Sequence, residues 1–245
     1  MSSYPGLYFD IGKKARDVIH KDYAQQPPIH FNYRFLDWNL DLSCQVKELV
    51  PGLKGIFNCT IPDSGKVELQ HLTKYSGFSG SIGLLGDPEK GYKPAASISG
   101  LLGTRILTLG ANLAYDLSNR TVDSLNAGLS LKSPYLVAAL TLHDSFQTLK
   151  GSCYFEVNPL TKTAIAAEVK YDLGDDETTG VTVGAQHALL PCTVLKARID
   201  SRGQVGAVIR QHFGPKFFIS VAGEMNLNGK DKEKLPKIGV SMALR

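Results

Sequence analysis

Residues 38–47, Trp38-Asn39-Leu40-Asp41-Leu42-Ser43-Cys44-Gln45-Val46-Lys47, alternate apolar and polar side chains without a break. Successive side chains of a strand point to opposite faces. The stretch therefore predicts one face of Trp38, Leu40, Leu42, Cys44 and Val46 and another of Asn39, Asp41, Ser43, Gln45 and Lys47. Just upstream, Ile29, Phe31, Tyr33 and Phe35 alternate with His30, Asn32 and Arg34. Downstream the order returns at Leu107–Tyr115, Leu125–Leu131, Leu149–Val157, Phe217–Met225 and Ile238–Leu244. Turn signals punctuate the runs at Asp63-Ser64-Gly65, Gly86-Asp87-Pro88, Ser118-Asn119, Ser133-Pro134, Asn158-Pro159, Gly174-Asp175-Asp176, Ser201-Arg202-Gly203 and Asn228-Gly229. The count is about sixteen strands, at roughly 14 residues per strand plus turn.

A period of two does not say which face is inside. Two architectures fit: a soluble β-structure with an apolar interior, or a membrane barrel with an apolar exterior. Three features favour the membrane. The runs of about nine to eleven residues exceed the usual soluble strand and match a tilted membrane strand. The non-apolar face is rich in Ser, Thr, Asn and Gly, as a wet lumen requires. Aromatic residues fall near strand ends, at Phe35, Trp38, Tyr75, Tyr115, Tyr135, Tyr171 and Phe217, as in an interfacial girdle. The predicted fold is all-β: a transmembrane antiparallel β-barrel. No apolar run is long enough for a spanning helix, the longest being Tyr135–Leu142.

Residues 7–23 differ. Leu7, Tyr8, Ile11, Ala15, Val18 and Ile19 recur at helical spacing, with Lys13, Lys14, Arg16, Asp17 and Lys21 opposite, which predicts one short amphipathic helix. The domains expected are a helical segment, 1–25, and a barrel, 26–245. The 245 residues carry 27 Lys+Arg against 23 Asp+Glu, a net charge of +4, with no long charge block, which argues against disorder. The N-terminus has no basic region followed by an apolar core, and Asp10 and Asp17 argue against a cleaved Arg-rich transit peptide.

Enzyme signatures are missing. Cys44, Cys59, Cys153 and Cys192 lie far apart, and the six histidines form no metal-ligand or catalytic spacing, so no cofactor or metal is expected. Gly77, Gly80, Gly83 and Gly86 recur every third residue in strand-like sequence with no following helix, which reads as strand bends rather than a phosphate loop.

Pro5-Gly6-Leu7-Tyr8, Ile11-Gly12-Lys13-Lys14-Ala15-Arg16-Asp17 and Asp22-Tyr23 closely resemble the N-terminal helix of the mitochondrial porins, the voltage-dependent anion channels, in their plant form. Val183-Gly184-Ala185-Gln186-His187-Ala188 resembles plant members. His187–Pro191 through Lys196-Ala197-Arg198-Ile199-Asp200 to Ile209 is similar to the family's late-strand signature, departing from it at Leu190, where the pattern has Asp. Lys237-Ile238-Gly239-Val240-Ser241-Met242-Ala243-Leu244 is similar to the mitochondrial barrel assembly signal. The resemblance implies the mitochondrial outer membrane, or the plastid outer envelope. Against the family's nineteen strands, this chain is shorter by about three, between Tyr23 and Pro51.

The function implied is passive diffusion of small hydrophilic metabolites and anions, nucleotides included, with weak anion selectivity and voltage gating. A barrel of this width encloses an aqueous channel. The resemblance implies a gating helix carrying Lys13, Lys14, Arg16 and Asp17. Strand facing offers Lys47, Lys54, Lys74, Lys150, Lys170 and Arg210 as pore-lining cations, offset by Glu68, Glu156, Glu168 and Glu224. Pro51-Gly52-Leu53-Lys54 resembles the family's Gly-Leu-Lys element, implying a nucleotide contact at Gly52, Leu53 and Lys54. Expected partners are membrane lipids and cargo anions, with homo-oligomers also compatible. The competing readings are a non-conducting barrel that docks cytosolic proteins or tRNA, a protein-import barrel and, last, a soluble lipid-binding protein.

Overall fold

In a computed structural model, residues 5–23, 40–50, 52–61, 64–87, 91–174, 180–190, 192–213, 217–228 and 237–244 are described. The alternating run at Ile29–Phe35, and the girdle residues Phe35 and Trp38, lie outside them.

Internal contacts divide the chain into two units. The first, Met1–Ile11, Tyr33–Lys132 and Ala139–Leu149, holds β1 (Leu40–Val50), β2 (Leu53–Ile61), β3 (Ser64–Leu72), β4 (Ser76–Asp87), β5 (Gly91–Gly103), β6 (Leu107–Asp116) and β7 (Thr121–Lys132). β8 (Leu136–His143) is divided between the units. The second, Gly12–Asn32, Ser133–Ala138 and Lys150–Arg245, holds nearly all of β9 (Thr148–Asn158), with β10 (Thr163–Asp172), β11 (Gly180–Leu190), β12 (Thr193–Asp200), β13 (Gln204–His212), β14 (Phe217–Asn226) and β15 (Lys237–Leu244). Fifteen strands are thus described against about sixteen expected. Within each unit sheet order equals chain order and the recorded pairings are antiparallel, as short connections dictate.

Exposure decides which face is which. In β6, Leu109 is 56 % exposed while its neighbour Thr108 is 0 % exposed. In β5, Ile98 stands 67 % exposed beside buried Ser99, whose hydroxyl meets that of Ser79 across the β4–β5 ladder at 2.7 Å. In β9, Phe155 and Val157 are exposed and Tyr154 is buried. The apolar face looks out and the polar face is covered, the inverse of a soluble sheet and the order a lipid-facing strand needs. The ladders satisfy the backbone groups that hydrocarbon cannot.

The helix predicted over 7–23 is interrupted. Tyr8–Asp10 forms a 3-10 turn, closed where the Leu7 amide donates to the Asp10 carboxylate at 2.9 Å. Gly12 then adopts a left-handed conformation, φ 67°, before α1 (Lys13–Ile19). Glycine reaches that region without steric cost, so the chain changes direction there. The break does not scramble the amphipathic face: Tyr8, Ile11, Ala15, Val18, Ile19 and Tyr23 are all buried.

Candidate functional site

The buried face of residues 5–23 lies on an apolar track within the otherwise polar strand face. In the first unit Tyr8 and Ile11 cluster with Leu101 and Ala139. In the second, Ala15, Val18 and Ile19 cluster with Val137, Tyr154, Ala164 and Ala166, and Tyr23 with Val208 and Ala222. Small residues let the segment come close. A side chain at Gly77 would strike the Gly6 carbonyl, and a Cβ at Gly206 would stand 2.9 Å from the Tyr23 ring. Gly77, read from its spacing as a bend, is a close-approach point, whereas Gly80 faces open space.

Charge fixes the end of the segment. A helix of seven residues leaves its last carbonyls without intrahelical partners. Here the strands supply them: Lys196 Nζ donates to the Asp17 carbonyl at 2.7 Å and Arg198 Nη1 to the Ile19 carbonyl at 3.0 Å. Cations at a helix C-terminus also oppose its dipole. Arg198 is opposite Gly206 on β13, and Gly206 is opposite Glu224 on β14, so a row runs across three strands with a glycine at its middle. Tyr23 fills that gap. The Arg198 guanidinium lies 4.4 Å from the Tyr23 ring centroid while its Nη2 pairs with Glu224. The Tyr23 hydroxyl donates to the Val18 carbonyl at 3.2 Å. Burial pushes the Tyr23 phenol up to about 12, with Arg198 opposing and Glu224 and Asp22 adding to the rise. The Asp22 carboxylate receives Lys196 Nζ at 3.3 Å and also pairs with Arg210.

The predicted site residues fall into different roles. Lys13, Lys14 and Arg16 are exposed on α1 and Asp17 is half-buried. Lys14 Nζ reaches Glu156 at 3.9 Å and stands 5.1 Å from the Tyr154 ring centroid. Of the cations expected to line a pore, Lys54 and Lys150 are half-buried, and Lys170 is exposed on the Glu168 face of β10. Lys47 is opposite Lys54 in the β1–β2 ladder. Arg210 is engaged with Asp22, its guanidinium 4.6 Å from the Phe218 ring centroid. Lys74, expected on a strand face, sits in the β3–β4 turn, 5.2 Å from the Tyr75 ring centroid. Gly52, φ 84°, occupies the β1–β2 turn, where its carbonyl accepts from the Leu72 amide, and Leu53 and Lys54 open β2. The four expected counter-charges are all paired: Glu68 with Lys66 at 3.0 Å, Glu156 with Lys14, Glu168 with His20 at 3.1 Å, and Glu224 with Arg198. Sequence reasoning passed over Lys196 and Arg198 as functional residues. Their two-residue spacing on one strand face was the available signal.

Among solved structures, a triple mutant of the Rhodopseudomonas blastica porin superposes with a TM-score of 0.50 over 82 % of this chain and 96 % of that one, at 10 % identity. That likeness carries the fold: with the lipid-ordered strand faces, it defines a porin-type transmembrane β-barrel. Residues 34–239 match the eukaryotic porin family. The Arabidopsis thaliana mitochondrial outer membrane protein porin 1 is 35 % identical over 280 aligned residues, covering 98 % of each chain. The Solanum tuberosum mitochondrial outer membrane protein porin of 34 kDa is 34 % identical over the whole of both chains, and the Pisum sativum outer plastidial membrane protein porin is 32 % identical over 98 % of each. The chain belongs to the eukaryotic porin family, the voltage-dependent anion channel type in its plant form. It is a passive membrane channel for small solutes, not an enzyme. The 280 aligned positions shared with the Arabidopsis porin, set against 245 residues, leave at least 35 without a counterpart here.

Proposed function

We propose that this chain forms an outer-membrane channel in mitochondria for passive diffusion of small hydrophilic metabolites and anions, nucleotides included, with weak anion preference and closure at raised voltage. The observation that carries the reading is the segment of residues 5–23, whose apolar face is docked while four cations, Lys13, Lys14, Arg16 and Lys21, stand exposed against three half-buried acids, Asp10, Asp17 and Asp22, the last of them paired with strand cations. An excess of cations in an aqueous passage raises local anion concentration over about a Debye length, some 8–10 Å at physiological salt, without coordinating any ion. Lys47, Lys54, Lys150 and Lys170 add to that field, and Gly52-Leu53-Lys54 offers a contact for nucleotide phosphate. The segment serves as gate and residues 26–245 as wall. Mitochondrial location rests on the names of the relatives; the pea protein makes the plastid envelope the alternative.

The experiment is planar-bilayer recording of the purified protein in a KCl gradient. Stepwise conductance, a small reversal potential toward the anion and closure at both polarities are expected. A correctly inserted, protease-resistant protein that gives no steps removes the pore and promotes a docking role.

A further inference from the structure

We propose that Asp22 is the latch of the docked segment: its carboxylate, shared by Lys196 of β12 and Arg210 of β13, holds the C-terminal end of α1 against the strands, and its loss frees the segment. The inference rests on the reading of residues 5–23 as the gate and names the contact that keeps it closed on the wall.

Three observations converge. First, the contact is sheltered: in the Lys196–Asp22 pair the two side chains are 7 % and 10 % exposed, whereas in two further ion pairs of the segment, Lys14–Glu156 and His20–Glu168, the segment side chains are 55 % and 40 % exposed. Water screens the exposed pairs, whereas loss of one partner from the sheltered pair leaves a buried charge uncompensated. Second, Asp22 completes a charge balance that the strands cannot reach alone. Arg210 lies opposite Val194 and Arg198 opposite Gly206, so Lys196 sits between them on the β12–β13 ladder. Three cations thus gather on these strands, and Glu224 of β14 is already paired with one of them, Arg198. Removing Asp22 leaves Lys196 and Arg210 facing each other across a diagonal of the ladder, a repulsive arrangement. Third, Asp22 lies at φ 75°, a left-handed backbone that Asp adopts more readily than most side-chain-bearing residues, in the turn between α1 and the docked Tyr23. The latch also acts on the helix itself. The same Lys196 ammonium that meets Asp22 donates to the Asp17 carbonyl at 2.7 Å and to the Lys21 carbonyl at 3.5 Å, so its position and the end of α1 are set together.

The test uses the full chain in liposomes, with trypsin cleavage after Arg16, remote in sequence from the substituted position, followed by mass spectrometry. Asp22→Asn keeps the shape and removes the charge. Cleavage about tenfold faster than wild type is expected, because one partner of a sheltered pair is left uncompensated. Asp22→Glu restores most of the protection. The double variant Asp22→Asn/Arg210→Gln is cleaved no faster than Asp22→Asn alone, since both break one contact. Lys66→Gln, which removes an ion pair on the strands away from the segment, leaves the rate at the wild-type value. Wild-type cleavage of Asp22→Asn, or strictly additive rates in the double variant, overturns the latch. Cleavage needs no current, so a chain that never conducts removes the pore reading while this ratio still reports on Asp22.

Discussion

Tyr23 condenses the logic of the site into one side chain. Its ring occupies the space over Gly206, its hydroxyl closes onto Val18, and Arg198 lies across its face. Burial favours the neutral phenol, so its pKa rises from about 10 to about 12 on docking. A raised pKa stabilises the docked state fully below pH 10, and that contribution is lost as the pH climbs from 10 to 12. We expect protection of residues 5–23 from protease to fall across that window, and tyrosine difference absorbance to show a late-titrating component that belongs to Tyr23. Tyr23→Phe abolishes the late titration and, by removing the bond to Val18, weakens docking by about 1 kcal/mol. Little of this was visible in the sequence. Asp22-Tyr23 could be recognised as part of a motif, but its partners Lys196, Arg198, Gly206 and Glu224 lie more than 170 residues away, and no local period links them. Lys74 was misplaced for the opposite reason, a local one. The β3–β4 turn is built by Thr73, whose hydroxyl accepts from the Ser76 amide at 3.0 Å, and it carries neither glycine nor proline to announce it.

The strands were legible because the two-residue period is complete within each one. The alternation read at Leu107–Tyr115 is the one β6 displays, with Leu109 outward and Thr108 covered, and β5 repeats it at Ile98 and Ser99. What alternation could not say was which face met lipid, and exposure answers it. Ile98→Lys is therefore expected to destabilise the inserted protein by roughly 2–4 kcal/mol, measured by urea unfolding in lipid vesicles, the range for a cation placed near the middle of the lipid-facing surface. Ser99→Ala, on the covered face, costs about 1 kcal/mol for the bond to Ser79. At the scale of α1, amphipathicity was legible but the break at Gly12 was not, since the apolar spacing carries straight through it. The exposed basic side of α1 gives its own prediction. The pair Lys13→Glu and Arg16→Glu reverses four units of charge without touching the buried face, and the reversal potential in a KCl gradient is expected to move from the anion side toward the cation side. An unchanged reversal potential would assign the selectivity to the strands.

On the scale of the whole molecule, a chain that leaves at least 35 positions of its alignment with the Arabidopsis porin unfilled still forms fifteen described strands and a docked N-terminal segment. Family membership makes it a channel, and its N-terminal segment meets the strands along a buried apolar face. That meeting place has a thermal consequence. The track of Val137, Ala164, Ala166, Val208 and Ala222 is dry while the segment lies on it and becomes wetted once the segment leaves. Wetting apolar surface raises the heat capacity, so the affinity of the segment for its track passes through a maximum with temperature and falls again on cooling. Single-channel recordings over a range of temperatures should show a curved van 't Hoff plot for closure, with the chilled channel holding its N-terminal segment less firmly than the channel at growth temperature.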